Sequence, residues 1–93
     1  MTPMGFRSSL QAALKKALAG LNVLDVAPVI EQPADDRHGD YSSNVAMLLA
    51  PRLKKAPLEI AKEIIHNLPK LEFIERIKVE KPGFINFHLK EKS

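Results

Sequence analysis

The stretch Lys81-Pro82-Gly83-Phe84-Ile85-Asn86-Phe87-His88-Leu89 reads as a turn feeding a strand. Ile85, Phe87 and Leu89 alternate with Asn86, His88 and Lys90, the period of two that a half-buried strand requires. Phe84 shares the parity of Asn86 and falls on the polar side. In the preceding strand, Ile77 and Val79 oppose Arg76, Lys78 and Glu80. A two-residue Pro-Gly turn would pair Val79 with Asn86 and mix the two faces. A three-residue loop, Lys81 to Gly83, pairs Val79 with Ile85 and Ile77 with Phe87, and leaves Gly83 free to take a left-handed conformation. The outward face then carries Arg76, Lys78, Phe84, Asn86, His88 and Lys90. An aromatic ring, an amide and several cations on an open sheet face suit an unstacked nucleobase beside its phosphates. A plainer reading makes Phe84 a core residue at a sheet corner and Asn86 a turn remnant. Parity alone leaves both open.

Working outward from the hairpin, Pro57 suits the first turn of a helix whose buried stripe is Ile60, Ala61, Ile64, Ile65 and Leu68, and Pro69 stops it. Upstream, Val45 to Ala50 forms a short helix capped by Ser42, Ser43 or Asn44. Asp40 would sit near its positive end, and Pro51 would end or kink it. Arg52, Lys54 and Lys55 form the densest basic cluster, most simply a solvated helix end. At the front, Ser8 or Ser9 caps a helix carrying Leu10, Ala13, Leu14, Ala17, Leu18 and Leu21, closed by Gly20. Val23 to Glu31 reads as an edge strand around Pro28, which has no N–H for a ladder. Phe73 to Glu80 is the first strand of the hairpin. The expected fold is α+β in two layers, with helices on one face of a small, mainly antiparallel sheet in the order α-β-β-α-α-β-β.

The chain has 93 residues, 45% of them hydrophobic, which suffices for one small domain spanning residues 1–93. A formal charge of +3 favours anionic partners without demanding them. With no cysteine, disulfides and thiolate metal sites are excluded. Met1-Thr2-Pro3-Met4 leads into an amphipathic stretch rather than an apolar signal core, and no run reaches membrane-spanning length. The expected compartment is the cytoplasm, with no membrane partner.

Asp35-Asp36-Arg37-His38-Gly39-Asp40 invites a metal or acid–base reading. A calcium loop needs oxygen donors at alternate positions and a distal Glu, but Arg37 holds one of those positions and the Glu is missing. Zinc would need further nitrogen or sulfur ligands, and His66 and His88 are poorly placed to supply them. A turn rich in Asp and Gly ahead of a helix start accounts for the run. There is no phosphate-binding glycine loop and no GxSxG turn. The sequence offers no catalytic site and no metal site.

Taken together, Gly39-Asp40-Tyr41, Asn44-Val45-Ala46 and Pro82-Gly83-Phe84-Ile85-Asn86-Phe87, in this order with these helices between them, carry a resemblance. The chain resembles the N-terminal additional domain of arginyl-tRNA synthetases over essentially its whole length. That resemblance implies a module that grips the outer corner of tRNA-Arg at the D-loop, with Phe84 and Asn86 at the positions that contact a D-loop base. Lys78, Lys81 and His88 on the same face, and Arg37 and His38 in the adjoining loop, are the further candidates for tRNA contact. Gly39, Asp40, Tyr41, Asn44 and Gly83 are expected to hold the loop, the helix start and the turn.

The resemblance further implies a class I parent enzyme that arginylates tRNA using ATP with Mg. The HIGH-type and KMSKS-type signatures of its catalytic domain are absent, and Lys90-Glu91-Lys92-Ser93 only mimics the second. The chain is thus expected to be a monomeric fragment without ligase activity or cofactor of its own. Its catalytic domain would follow Ser93, and arginine and ATP would be met only there. Two other readings stand beside this one. The first is a protein-interaction module that presents the same face, or the Arg52-Lys54-Lys55 patch, to an acidic partner. The second, more remote, is a metal-dependent hydrolase built on Asp35, Asp36, His38 and Asp40.

Overall fold

The computed structural model describes residues 5–90. The Met1–Met4 lead, where no signal core was expected, lies outside the described residues. So do the Glu91–Ser93 end of the KMSKS-like run and the side chain of Asp36. Strands β2 (Ile74–Glu80) and β3 (Phe84–Leu89) pair antiparallel, with Glu80 opposite Phe84, Val79 opposite Ile85 and Ile77 opposite Phe87. The connection is the three-residue one that parity requires, and it contains a cis Lys81–Pro82 bond. Strand β1 (Tyr41–Ser43) joins the other side of β3, again antiparallel. The sheet order is β1-β3-β2, which makes β3 the central strand.

Among the described residues, three α-helices form the layer packed on one face of this sheet. In α1 (Phe6–Ala19), steps of three and four bury Leu10, Ala13, Leu14, Ala17 and Leu18. α2 (Val45–Leu53) buries Val45, Ala46 and Leu49, and α3 (Pro57–Asn67) buries Ile60, Ala61 and Ile64. Both α1 and α2 pack on α3, and α2 and α3 pack on the sheet. The core forms where these stripes meet Ile85 and Phe87, with Ile77, Val79 and Tyr41 at its margin. Pro57 opens α3 at its first position, where a missing N–H costs nothing. Leu68 ends it in extended geometry (φ −70°, ψ 137°), as suits a residue before a proline.

Several expectations are corrected. Residues Val23 to Ile30 form no strand; only Glu31 bridges to Ser42, each N–H donating to the other's carbonyl at 2.8 Å. The order is therefore α-β-α-α-β-β. Val23 and Ile30 enter the core directly, and the buried Pro28 accepts a 2.7 Å hydrogen bond from Gln11 Nε2 on its carbonyl. Helix packing thus replaces strand pairing along this segment.

Helix α1 starts at Phe6 behind Gly5, so Ser8 and Ser9 lie inside it and do not cap it. At its other end Gly20 stays right-handed (φ −64°), and the reversal falls at Asn22 (φ 65°). Val23 N–H donates to Leu18 O and Asn22 N–H to Ala19 O, the paired bonds of a Schellman motif with Asn at the left-handed position. Pro51 does not end α2, which runs on to Leu53 before Lys54 closes it in the left-handed region (φ 55°). Pro51 is exposed, and Ala50 and Leu53 on either side of it pack against the core. Gly83 has no left-handed φ. What it supplies is space, because a Cβ there would stand 2.6 Å from Pro57 Cβ and 3.1 Å from Met47 Cγ.

Candidate nucleic-acid interface

The sheet face away from the helices is not bare. Segment 31–40 borders it on the β1 side, and the two together enclose a cleft of about 400 Å³. One wall is Glu31, Gln32 and Pro33; the other is Glu80, Lys81 and Phe84; Ser42, Asn86 and His38 complete the lining. This volume falls within the roughly 300–1,000 Å³ range of small-ligand clefts. Phe84 is half-buried at the start of β3, opposite Glu80.

Asn86 and His88 share the parity of Phe84, yet are only 3% and 4% exposed. The expectation of an open polar face is corrected on this point. Asn86 is paired on both sides, with Ser42 and Lys78, and so loses the exposure that an edge strand would give it.

Asn86 sits at the centre of a hydrogen-bonded chain. Ser42 Oγ donates to Asn86 Oδ1 at 2.8 Å, and Asn86 Nδ2 donates to Glu80 Oε1 at 2.9 Å. His38 Nδ1 donates to the same Glu80 oxygen at 2.8 Å. These partners hold the Glu80 carboxyl below the usual glutamate range, the Asn86 bond contributing most and His38 next, with Lys78 adding charge nearby. A depressed carboxyl stabilises the folded state above its unfolded pKa, about 4.3, and that contribution disappears as pH falls through the folded value. Wild type should therefore have a higher urea midpoint than Glu80→Gln at pH 7, and the gap should close below about pH 4. Urea titrations of both chains at the two pH values check this.

The other candidates are less uniformly placed. Lys81 lines the cleft, while Lys78, across from Asn86, and Arg76, across from His88, are exposed on β2. His88 does not reach the cleft lining. Arg37 folds back on Asp35 through its guanidinium, which holds that carboxyl below its ordinary range.

Gly39 adopts φ 92° and passes so close to β3 that a Cβ would stand 2.8 Å from Phe87 O. Asp40 then spans the strand: its N–H donates to Phe87 O and its Oδ2 accepts from Leu89 N–H, both at 2.8 Å. The Asp40 carboxylate thus engages the backbone of β3 directly. Tyr41 packs at the core margin with the Arg7 guanidinium 5.9 Å from its ring centre. Asn44 stands at the N-cap of α2 but makes no side-chain cap; Ser43 Oγ accepts from Val45 N–H at 3.3 Å.

Sequence reasoning missed Glu31, Gln32, Pro33 and Ser42 as cleft residues. Only the signal for Glu80 was available, in the parity that placed it beside Phe84. In the basic cluster, Arg52 pairs with Asp25 at 2.8 Å and Lys55 with Glu63 at 2.9 Å, so two of its three cations are already engaged. Among the described residues, no group of three or more His, Asp or Glu side chains could hold a metal ion. No described helix is long and apolar enough to cross a membrane.

The family profile described as "Arginyl tRNA synthetase N terminal domain" matches residues 6–89. The chain belongs to that family. The domain is 44% identical over 91 residues to the arginine–tRNA ligase of Desulforamulus reducens, covering 89% of this chain and 16% of that enzyme. It is also 44% identical over 85 residues to the Listeria monocytogenes ligase, covering 86% of this chain and 15% of that one. Among solved structures, Thermus thermophilus arginyl-tRNA synthetase superposes with a TM-score of 0.81 at 34% identity, over 92% of this chain and 14% of that one. The Plasmodium falciparum enzyme shares the fold with a TM-score of 0.83 at 19% identity, over 97% and 17% of the two chains. This domain therefore spans about one-sixth of the length of these curated relatives.

Proposed function

We propose that this domain binds tRNA-Arg at its outer corner, through the D-loop, and so positions the tRNA for arginylation. On this reading the reaction belongs to a class I catalytic domain of the same enzyme, which also takes arginine and ATP with Mg, in the cytoplasm. The observation that carries the proposal is one cleft that holds a half-buried phenyl ring, Phe84, beside a carboxamide, Asn86. A base turned out of the D-loop stacks on Phe84, and the remaining hydrogen-bonding capacity of Asn86 meets its edge. Lys78, Lys81 and Arg76 take neighbouring phosphates. Glu31 and Glu80 border the same cleft, so charge alone contributes little affinity and the ring has to contribute much of it.

About three phosphate contacts give log K a slope of roughly −2 to −3 against log salt. The test is fluorescence anisotropy of labelled tRNA-Arg transcripts, with the D-loop bases intact or replaced, across a salt series. The expected result is weak binding with that slope and a loss of affinity on D-loop replacement. Equal affinity for intact and replaced D-loops would rule the reading out.

A further inference from the structure

The carboxamide of Asn86 has two orientations that exchange a donor for an acceptor at the cleft, and something has to choose between them. Ser42 cannot choose, because a hydroxyl both donates and accepts and satisfies either end of the amide. The ionised Glu80 carboxylate only accepts, so only Nδ2 can face it. In the structure Nδ2 does face it, at 2.9 Å, and Oδ1 faces Ser42 at 2.8 Å. Glu80 lies directly across the ladder from Phe84, on a strand anchored by its pairing with β3. His38 shares the same carboxylate oxygen at 2.8 Å and restrains its rotation.

We propose that Glu80 is a positioning residue that sets the polarity of the Asn86 carboxamide and thereby decides which base edge the cleft accepts. One N–H of Nδ2 and one lone pair of Oδ1 are committed to Glu80 and Ser42. The remaining N–H and lone pair form a donor–acceptor pair of fixed order, which a flipped amide would reverse. A base presenting the complementary order is retained, and one presenting the opposite order leaves two buried polar groups unmatched. Glu80 acts through Asn86 and makes no contact of its own with the base. This inference rests on the tRNA reading above and adds the residue that gives it selectivity.

The experiment compares wild type, Glu80→Ala and Glu80→Gln in two readouts. In the free chain, the side-chain amide resonances of Asn86 report its orientation without any RNA. Glu80→Ala should shift them toward the values of a free asparagine amide. Glu80→Gln, whose amide can donate or accept and so satisfies either orientation, should shift them as well. In binding, the ratio of affinities for intact and base-replaced D-loop transcripts should fall about threefold to tenfold in Glu80→Ala, the span of one net hydrogen bond. In Glu80→Gln, which keeps the side-chain size but loses the accept-only partner, it should fall as well. A residue that only supported the fold would lower the urea midpoint and leave the ratio unchanged. A wild-type preference that survives Glu80→Ala, with unmoved Asn86 resonances, overturns this inference alone. A wild-type chain without any D-loop preference overturns the tRNA reading and this inference with it.

Discussion

Phe84→Ala is expected to weaken tRNA-Arg binding by roughly 5- to 150-fold, the equivalent of the about 1–3 kcal/mol that a stacked base contributes. The ring is the largest apolar side chain lining the cleft, and the charges around it partly cancel, with Glu31 and Glu80 set against Lys81. Removing it leaves the lysines to hold phosphate and nothing for a base to rest on. The salt slope should therefore persist while the D-loop preference disappears. Phe84 stands on the sheet face away from the core, so its loss should cost less stability than removal of the fully buried Phe87, for which about 3–5 kcal/mol is typical. Anisotropy titrations and urea midpoints on the same preparations separate the two effects. Unchanged tRNA affinity in a destabilised Phe84→Ala chain would make the ring a structural corner residue and remove the basis of the interface.

The hairpin was legible because its information is local. Parity within Ile74–Glu80 and Phe84–Leu89 allows one loop length, and the pairing of Val79 with Ile85 follows. The Pro57 and Pro69 boundaries of α3 were legible for the same reason, since each acts on its own peptide unit. Longer-range choices were not. Val23, Val26, Val29 and Ile30 look like a strand, but whether they pair depends on an available sheet edge, and α1 claims Val23 and Ile30 for the core instead. Gly20 and Asn22 both suit a helix end, and the bonds to Leu18 and Ala19 put the left-handed residue at Asn22. The space required at Gly83 comes from Met47 and Pro57, which no local pattern connects to the turn. The burial of Asn86 depends on β3 being central, a fact held in the pairing of Tyr41–Ser43 far upstream. The sidedness of the cleft residues was therefore readable, but their accessibility was not.

Gly39→Ala is expected to destabilise the domain by about 2–5 kcal/mol and to open the cleft from its loop side. Two costs add at this position. At φ 92° an L side chain meets its own backbone, which costs roughly 1–2 kcal/mol in the left-handed region. The new methyl would also stand 2.8 Å from Phe87 O and 3.2 Å from Phe87 N. Those atoms belong to the backbone of the central strand, paired on both sides, and have no room to give. Forced overpacking of this kind adds about 1–3 kcal/mol. The loop has to lift, and lifting it strains the Asp40 N–H bond to Phe87 O and the Leu89 N–H bond to Asp40 Oδ2. His38, the adjacent residue, then moves away from Glu80, so one substitution acts on both stability and the cleft. Gly5→Ala is the control, since nothing lies within 4 Å of a Cβ there, and it should cost about 1 kcal/mol or less as a helix-cap change. Against the roughly 5–15 kcal/mol that holds a domain folded, the expected loss at Gly39 is large enough to lower the urea midpoint clearly. A Gly39→Ala chain with the wild-type midpoint and an unperturbed His38 resonance would mean that the loop rests on β3 loosely, and would overturn the expectation.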